Sequence, residues 1–355
     1  MSPADPVTPP DPDDAPIFVV GTGRSGTTLL RLMINAHPRI HLTHEASFYI
    51  GRQFIPKRYS ASDWLELYFK SFPFAWQYLR TVDVREELAK THPGDAPREA
   101  LPDAYKAIMR CKARQRGCPR FGDKTPFHAS YIGTILKDFP GARIIHILRD
   151  PRPTCLSLRD MPWAPGSWVL NNRYMARLAK EVGPYREQMH EVRLEDLLAN
   201  PEGEMRALLD FVGEEWDARV LDHTSHIPPN DVPPFPWLLT ATRPRGKVPT
   251  RHWAEKIPPA WIRQIEFRNR FWFETYGYPL AELEKEPTWG ERFRAVWSDF
   301  PEAGRFLRRF LPLARRLASK NPPDAAEAQH RLLHLNPKAW ERYPGFEFPE
   351  RPVVE

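Results

Sequence analysis

Residues 16–37 read PIFVVGTGRSGTTLLRLMINAH. Ile17 to Val20 form a short apolar run, the composition of a strand buried on both faces. Gly21, Gly23 and Gly26 then make a turn, and Thr27, Thr28, Leu29 and Leu30 open a helix. Strand, glycine-rich turn and helix in this order form a phosphate-binding loop, which aims backbone N–H groups and a helix N-terminus at an anion. The ordinary loop has a lysine after its last glycine, then a Ser/Thr that holds magnesium. Here Thr27 occupies the lysine position, Thr28 follows, and the positive charge has moved inside the turn to Arg24. The usual clamp for a triphosphate–magnesium chain is missing. A ligand with one phosphate joined to another anionic group suits this loop better, with Gly23, Arg24, Ser25, Gly26, Thr27 and Thr28 around it.

Outward from the loop, ARIIHILRD (142–150) supplies a second buried strand over 143–148, and a third begins around Val192 in HEVRLEDLL. Helices are expected over 98–117, 128–139 and 168–182, and in PEGEMRALLDFVG with its stop at Gly213. Alternating strands and helices predict an α/β fold: a P-loop-containing, three-layer architecture with a central, mostly parallel sheet. Ligands of such sheets sit in the crevice at the carboxyl ends of the strands. Arg24 and Arg149 both follow strands at that end. Residues 1–15, acidic and proline-rich, read as a disordered lead-in. Residues 16–280 form the main domain. Residues 281–355 form a helical extension of short amphipathic pieces with arginines on the polar side, which could rest on anionic lipid but more commonly would pack on its own domain.

The extended segment GRSGTTLLRLMINAHPRI, followed by Glu45, resembles the nucleotide loop of sulfotransferases that use 3′-phosphoadenosine-5′-phosphosulfate (PAPS). It is most similar to the branch holding bacterial sulfotransferases and the tyrosylprotein sulfotransferases. The resemblance covers roughly residues 16 to 278. It implies that the loop wraps the 5′-phosphosulfate and that Glu45 is the catalytic base, with His44 as a competitor, since other sulfotransferases use histidine. FGDKTPFH (121–128) is similar to a lysine element of the family, which gives Lys124 the task of stabilising the transferring sulfuryl group, with Arg24 alongside. RDPR and the following serine match the element that holds the 3′-phosphate, assigning Arg149 and Ser157 there; Arg152 could equally pair with Asp150 or Asp160. Arg251, in a late basic loop with Lys247 behind it, is a further cofactor candidate. Leu194 stands where relatives commonly carry tyrosine.

The reading that follows is transfer of a sulfuryl group from PAPS to a hydroxyl of a small carbohydrate, lipid or metabolite, without a metal. A nucleotide-dependent small-molecule kinase and a noncatalytic anion-binding protein are the alternatives. Of 355 residues, 41% are hydrophobic and 27% charged, enough for a sizeable core, and the 40 prolines are spread through the chain rather than repeated. A formal charge of +6 fits a basic cleft for a polyanionic cofactor. Nucleic acid is not expected as a partner, since no zinc-finger spacing, basic heptad region or aromatic RNA-binding signature is present. Cys111, Cys118 and Cys155 do not make a disulfide framework. The N-terminus has neither the basic start nor the apolar run of a signal peptide, and no segment has the apolar length to span a bilayer, so the expected location is cytoplasmic.

Overall fold

Five strands, all parallel, lie in the order β2–β3–β1–β4–β5: β1 is Ile17–Gly21, β2 Ile40–His44, β3 Arg120–Lys124, β4 Arg143–Leu148 and β5 Met189–Arg193. The computed structural model describes residues 14–54, 59–71, 81–228, 231–232, 235–243, 253–281, 287–317, 319 and 325–346. Its helices are α1 (Thr27–Asn35), α2 (Phe48–Phe54), α3 (Ala61–Ser71), α4 (Thr81–Ala89), α5 (Leu101–Gln115), α6 (Ile132–Asp138) and α7 (Pro151–Arg159). They continue with α8 (Trp168–Val182), α9 (Leu194–Ala199), α10 (Pro201–Val212), α11 (Pro259–Arg268), α12 (Arg270–Tyr276), α13 (Trp289–Leu317) and α14 (Ala325–Leu333).

β1 is central and fully buried, so its apolar run serves both faces of the sheet. Phe18 and Val20 enter a core built with α3, α5 and α6, through Trp64, Tyr105, Ile108 and Ile135. Ile17 and Val19 point the other way, into a core of Leu30, Met33, Leu208 and Leu209 from α1 and α10. Alternation of side chains along a strand produces this division, and helices on both faces cover the sheet. β1 pairs with β3 on one side and β4 on the other, so the chain reverses its direction of travel across the sheet at β1. A ligand crevice is expected at that point.

The strand at 143–148 and the helix at 168–182 coincide with the sequence reading. β2 and β3 are additions: IHLTH and RFGDK look too polar for a buried sheet, yet Thr43, Asp123 and Lys124 are fully buried there. The expected series of short helices after residue 281 is corrected by α13, one helix of 29 residues that runs through Pro301 and Pro312. Each proline removes one backbone donor, and neither loss ends the helix. No helix among the described residues is long and apolar enough to cross a membrane.

One half-buried acid ties the sheet to the helices behind it. Glu191 on β5 receives Arg186 Nη2 at 2.8 Å and the Tyr276 hydroxyl, and lies 3.4 Å from His146 Nδ1 on β4. Burial opposes its charge, but these hydrogen bonds outweigh burial and hold its pKa at about 2, against an ordinary 4.5. A carboxyl with a depressed folded-state pKa stabilises the fold above its unfolded value and loses that contribution as pH falls through the folded one. Glu191→Gln is therefore expected to lower the urea midpoint near neutral pH and to flatten its decline between 4.5 and about 2. Unchanged acid unfolding in this variant would remove Glu191 from that role.

Candidate active site

The carboxyl ends of the strands deliver the polar residues singled out in the sequence. At the end of β1 the glycine turn runs into α1, with Gly26 at φ 95° as the residue before the first helical turn. A β-carbon at Gly26 would lie 2.6 Å from Leu194, and one at Gly23 would lie 2.7 Å from the Trp163 ring. The turn is thus pressed against neighbours on two sides. Leu194, at the position where relatives commonly carry tyrosine, packs beneath the turn in the core with Ile147. The Ser25 hydroxyl donates within the turn, to Thr22 O at 2.7 Å and Ile147 O of β4 at 3.2 Å.

Glu45 and Lys124 meet across the ends of β2 and β3. The Glu45 backbone N–H donates to Lys124 O at 2.7 Å, and Lys124 Nζ lies 2.6 Å from Glu45 Oε1 and 3.5 Å from Thr28 Oγ1 at the start of α1. Lys124 is fully buried, whereas the Glu45 side chain is 38% exposed, so the carboxylate faces the opening. Burial lowers the Lys124 pKa, and the Glu45 charge opposes that shift. His44 Nε2 is 3.9 Å from the same Glu45 oxygen. Burial holds His44 well below an ordinary imidazole, and the Lys124 and Arg31 charges add to the effect.

Asp123 organises this corner from below. Its Oδ1 accepts from Thr43 Oγ1 at 2.8 Å and from the Ala46 N–H at 3.0 Å, while Oδ2 lies 3.2 Å from His128 Nδ1. The Tyr49 N–H donates to His128 Nε2 at 3.3 Å, which makes Nε2 the acceptor of this ring and leaves Nδ1 as its donor. Burial opposes charge on Asp123, but the hydrogen bonds hold its pKa below the ordinary value. Together these contacts fix residues 45–47 over β3. Glu45 and Ser47 have φ of 45° and 53°; Arg24, at 71°, is the other non-glycine residue with positive φ among those described. Unfavourable backbone conformations at functional sites are held in place by their surroundings, and here Asp123 supplies that hold.

On the other side of the turn lie Arg24, Arg149 and Ser157. Arg24 Nε donates to Ser157 Oγ at 3.1 Å and its Nη1 to Trp237 O at 3.1 Å; Arg149 Nη1 donates to the Arg24 carbonyl at 3.1 Å. Neither guanidinium forms an ion pair with a carboxylate among the described residues. Burial lowers the Arg24 pKa, an effect that neighbouring Arg149 reinforces, with Tyr343 and Glu45 acting in the opposite direction. Two half-desolvated cations held by neutral acceptors make a receptor for an anion. Arg152 is different: it lies buried against Asp150 at 2.7 Å and Glu266 at 2.6 Å, beneath the Trp253 ring at 4.2 Å, where it braces the start of α7. Arg251 and Lys247 lie outside the described residues.

Four residues near the site carry no signal in the sequence. Glu195 accepts from the Asp150 N–H and from the Tyr278 hydroxyl, both at 3.1 Å, fixing the turn after Arg149. Trp163 abuts Gly23. Trp237 stacks on Phe235 at 4.9 Å and meets Tyr343 at 5.6 Å, so the segment around Tyr343 reaches the neighbourhood of Arg24. Asn336 pins that segment by donating to Arg159 O at 3.0 Å and Met161 O at 3.2 Å. Apart from the Phe235–Trp237 stack, these contacts join segments 45 to 177 positions apart, in the manner of an α/β crevice.

The sequence profile of the sulfotransferase family matches residues 16–218, more than half of the chain, and the protein belongs to that family. It is similar to protein-tyrosine sulfotransferase A of Caenorhabditis elegans, 27% identical over 58% of this chain and 52% of that one. An omega-hydroxy-beta-dihydromenaquinone-9 sulfotransferase of Mycobacterium bovis is 25% identical over 56% of this chain and 63% of its own. The chain spans about half the length of the curated relatives it matches. Among solved structures, a sulfotransferase of Mycobacterium avium superposes with a TM-score of 0.46 and 15% identity, covering 76% of this chain and 79% of that one.

Proposed function

We propose that this chain is a PAPS-dependent sulfotransferase of the glutamate-using branch, acting on a hydroxyl of a small carbohydrate, lipid or metabolite. The observation that carries the reading is the Glu45–Lys124 ion pair at the start of α1, with Arg24, Arg149 and Ser157 across the same turn. A carboxylate for a proton, a lysine for a transferring anion and a separate cationic pocket are what a donor with two phosphorylated ends requires. Close packing at Gly23 and Gly26 suits a P-loop backbone that approaches a phosphate directly. Bound there, PAPS supplies the sulfuryl group and the leaving phosphate.

The residues divide the work as follows. Glu45 accepts the proton of the acceptor hydroxyl at a carboxylate oxygen. Its own charge is then neutralised, and buried Lys124 loses its counterion when negative charge spreads over the transferred group. The lysine charge becomes fully available at the moment it is needed, a form of electrostatic preorganisation. His44 is the weaker base, because burial and Lys124 both oppose its protonation. Thr27, Thr28, Arg24 and the backbone of Gly23 to Gly26 take the 5′ end, with Arg24 alongside Lys124; Arg149 and Ser157 take the 3′-phosphate. Residues 16–280 form the catalytic unit, and the described helices beyond them, α13 and α14, pack on it.

The names of the two relatives above specify a tyrosine and an omega-hydroxy group, both of which present a hydroxyl. This supports a hydroxyl acceptor without choosing its carrier. Calorimetric titration with 3′-phosphoadenosine-5′-phosphate and, separately, ATP–magnesium tests the proposal. Binding of the bisphosphate is expected, with EDTA leaving sulfuryl transfer intact. Binding of ATP–magnesium alone would assign the site to a kinase, and bisphosphate binding without transfer to any acceptor in a broad screen would leave a noncatalytic anion receptor.

A further inference from the structure

Helix α13 presents two opposed faces. One is fixed to the body of the protein: Ala295 and Leu313 are buried, Glu291 lies 2.9 Å from Arg263, and Arg292 stacks over Phe267 at 4.0 Å. Asp299 accepts the N–H groups of Trp168 and Val169, both at 3.0 Å, and thereby caps α8. The other face carries Trp289, Phe293, Trp297, Phe300, Leu307 and Leu311, whose exposures are 80, 55, 68, 65, 40 and 47%. With Gly304 between Phe300 and Leu307, these positions recur every three or four residues and stay on one side of the helix. The stripe is about 33 Å long at 1.5 Å per residue. Its first four rings stack in succession, with centroids 6.0, 6.0 and 6.1 Å apart.

Charge along this helix is one-sided. It contains seven arginines and three acids. All three acids are engaged within the protein: Glu291 with Arg263, Asp299 with the start of α8, and Glu302 with Arg305 and Lys338. Arg294, Arg308 and Arg315 remain exposed beside the aromatic stripe. A second copy of the chain seated on this face would bring two arginine rows together. An acidic surface would instead complement them, and a single convex row of Trp and Phe is too shallow to serve as half of a folded core.

We infer that α13 is a docking helix for anionic membrane surfaces. It lies flat, with Trp289, Phe293, Trp297 and Phe300 in the boundary between headgroups and acyl chains and the arginines on lipid phosphates. Tryptophan is suited to that boundary, and an amphipathic helix gains both from buried apolar area and from attraction to anionic lipid. The helix is already folded against α8 and α11, so binding does not have to order it. This inference stands apart from the sulfuryl chemistry at the strand ends.

The test uses the full chain with vesicles of phosphatidylcholine alone, or of phosphatidylcholine with about one third phosphatidylglycerol, enough to give a negative surface potential. Co-sedimentation with the anionic vesicles only is expected, with a blue shift of tryptophan emission and reversal by salt. Phe293→Ser with Trp297→Ser should abolish binding. Arg294→Glu with Arg308→Glu should weaken it roughly tenfold or more, since each basic residue near the surface contributes to attachment. All four side chains are exposed, so thermal midpoints should stay near that of the parent. Absence of sedimentation with anionic vesicles would overturn the inference. A concentration-dependent dimer lost in the Phe293/Trp297 variant, without vesicle binding, would assign the face to a second copy instead.

Discussion

Replacing Glu45 by Gln is expected to lower turnover roughly 10²–10⁴-fold, the usual contribution of a positioned general base, while affinity for 3′-phosphoadenosine-5′-phosphate changes little. The amide keeps the size and reach of the carboxylate but cannot take a proton. It also leaves Lys124, fully buried, without the counterion 2.6 Å away. The variant should therefore unfold at lower temperature as well, because a buried charge stripped of its partner is costly. A second substitution separates the two effects. Adding Lys124→Met to Glu45→Gln removes the orphaned charge and should recover stability while leaving the enzyme inactive. Single-turnover measurements of sulfuryl transfer, beside thermal unfolding of both variants, make the comparison. Normal turnover in Glu45→Gln would move the proton-accepting role to His44, despite the burial that opposes its charge.

The central strand and glycine turn were legible because their pattern is local: four apolar residues, then a turn, then helix-forming residues. β4 was legible for the same reason. β2 and β3 were not, because the polar residues of IHLTH and RFGDK suggest exposed chain. They are buried only because partners from elsewhere satisfy them, as when Thr43 and the Ala46 N–H both donate to Asp123. A polar strand can be central to a site when each of its charges is paired, and pairing across 77 to 80 positions leaves no trace in local composition. Glu45 and Lys124 were both picked out by motif, yet their direct contact appears only once β2 and β3 lie side by side. Arg152 shows the reverse. Its motif places it beside Arg149, and its geometry places it in the core with Glu266. The short helical pieces expected after residue 281 are instead one helix through Pro301 and Pro312, since packing through Asp299 and Leu313 outweighs two missing backbone donors.

Arg149→Ala is expected to weaken binding of 3′-phosphoadenosine-5′-phosphate about 10- to 100-fold, since a hydrogen bond to a charged group contributes ~1.5–3 kcal/mol. Arg24→Ala should weaken it by a similar factor, but for a different structural reason. Arg24 donates to Ser157 and Trp237 O, so its removal also frees the Ser157 hydroxyl and loosens residues 235–238 over the crevice. Arg149 donates to the Arg24 carbonyl and so supports the turn whose left-handed residue Arg24 occupies. Because the two arginines share this contact, their effects should not add. The double variant is expected to lose less than the product of the single losses, as for residues that act on one network. Adenosine-5′-phosphosulfate, which lacks the 3′-phosphate, supplies the control. If Arg149 meets that phosphate, its removal should hardly change binding of the truncated ligand. Equal losses for both ligands would place Arg149 at the 5′ end of the crevice. No loss for either would remove it from the ligand site and leave it as a brace for the glycine turn.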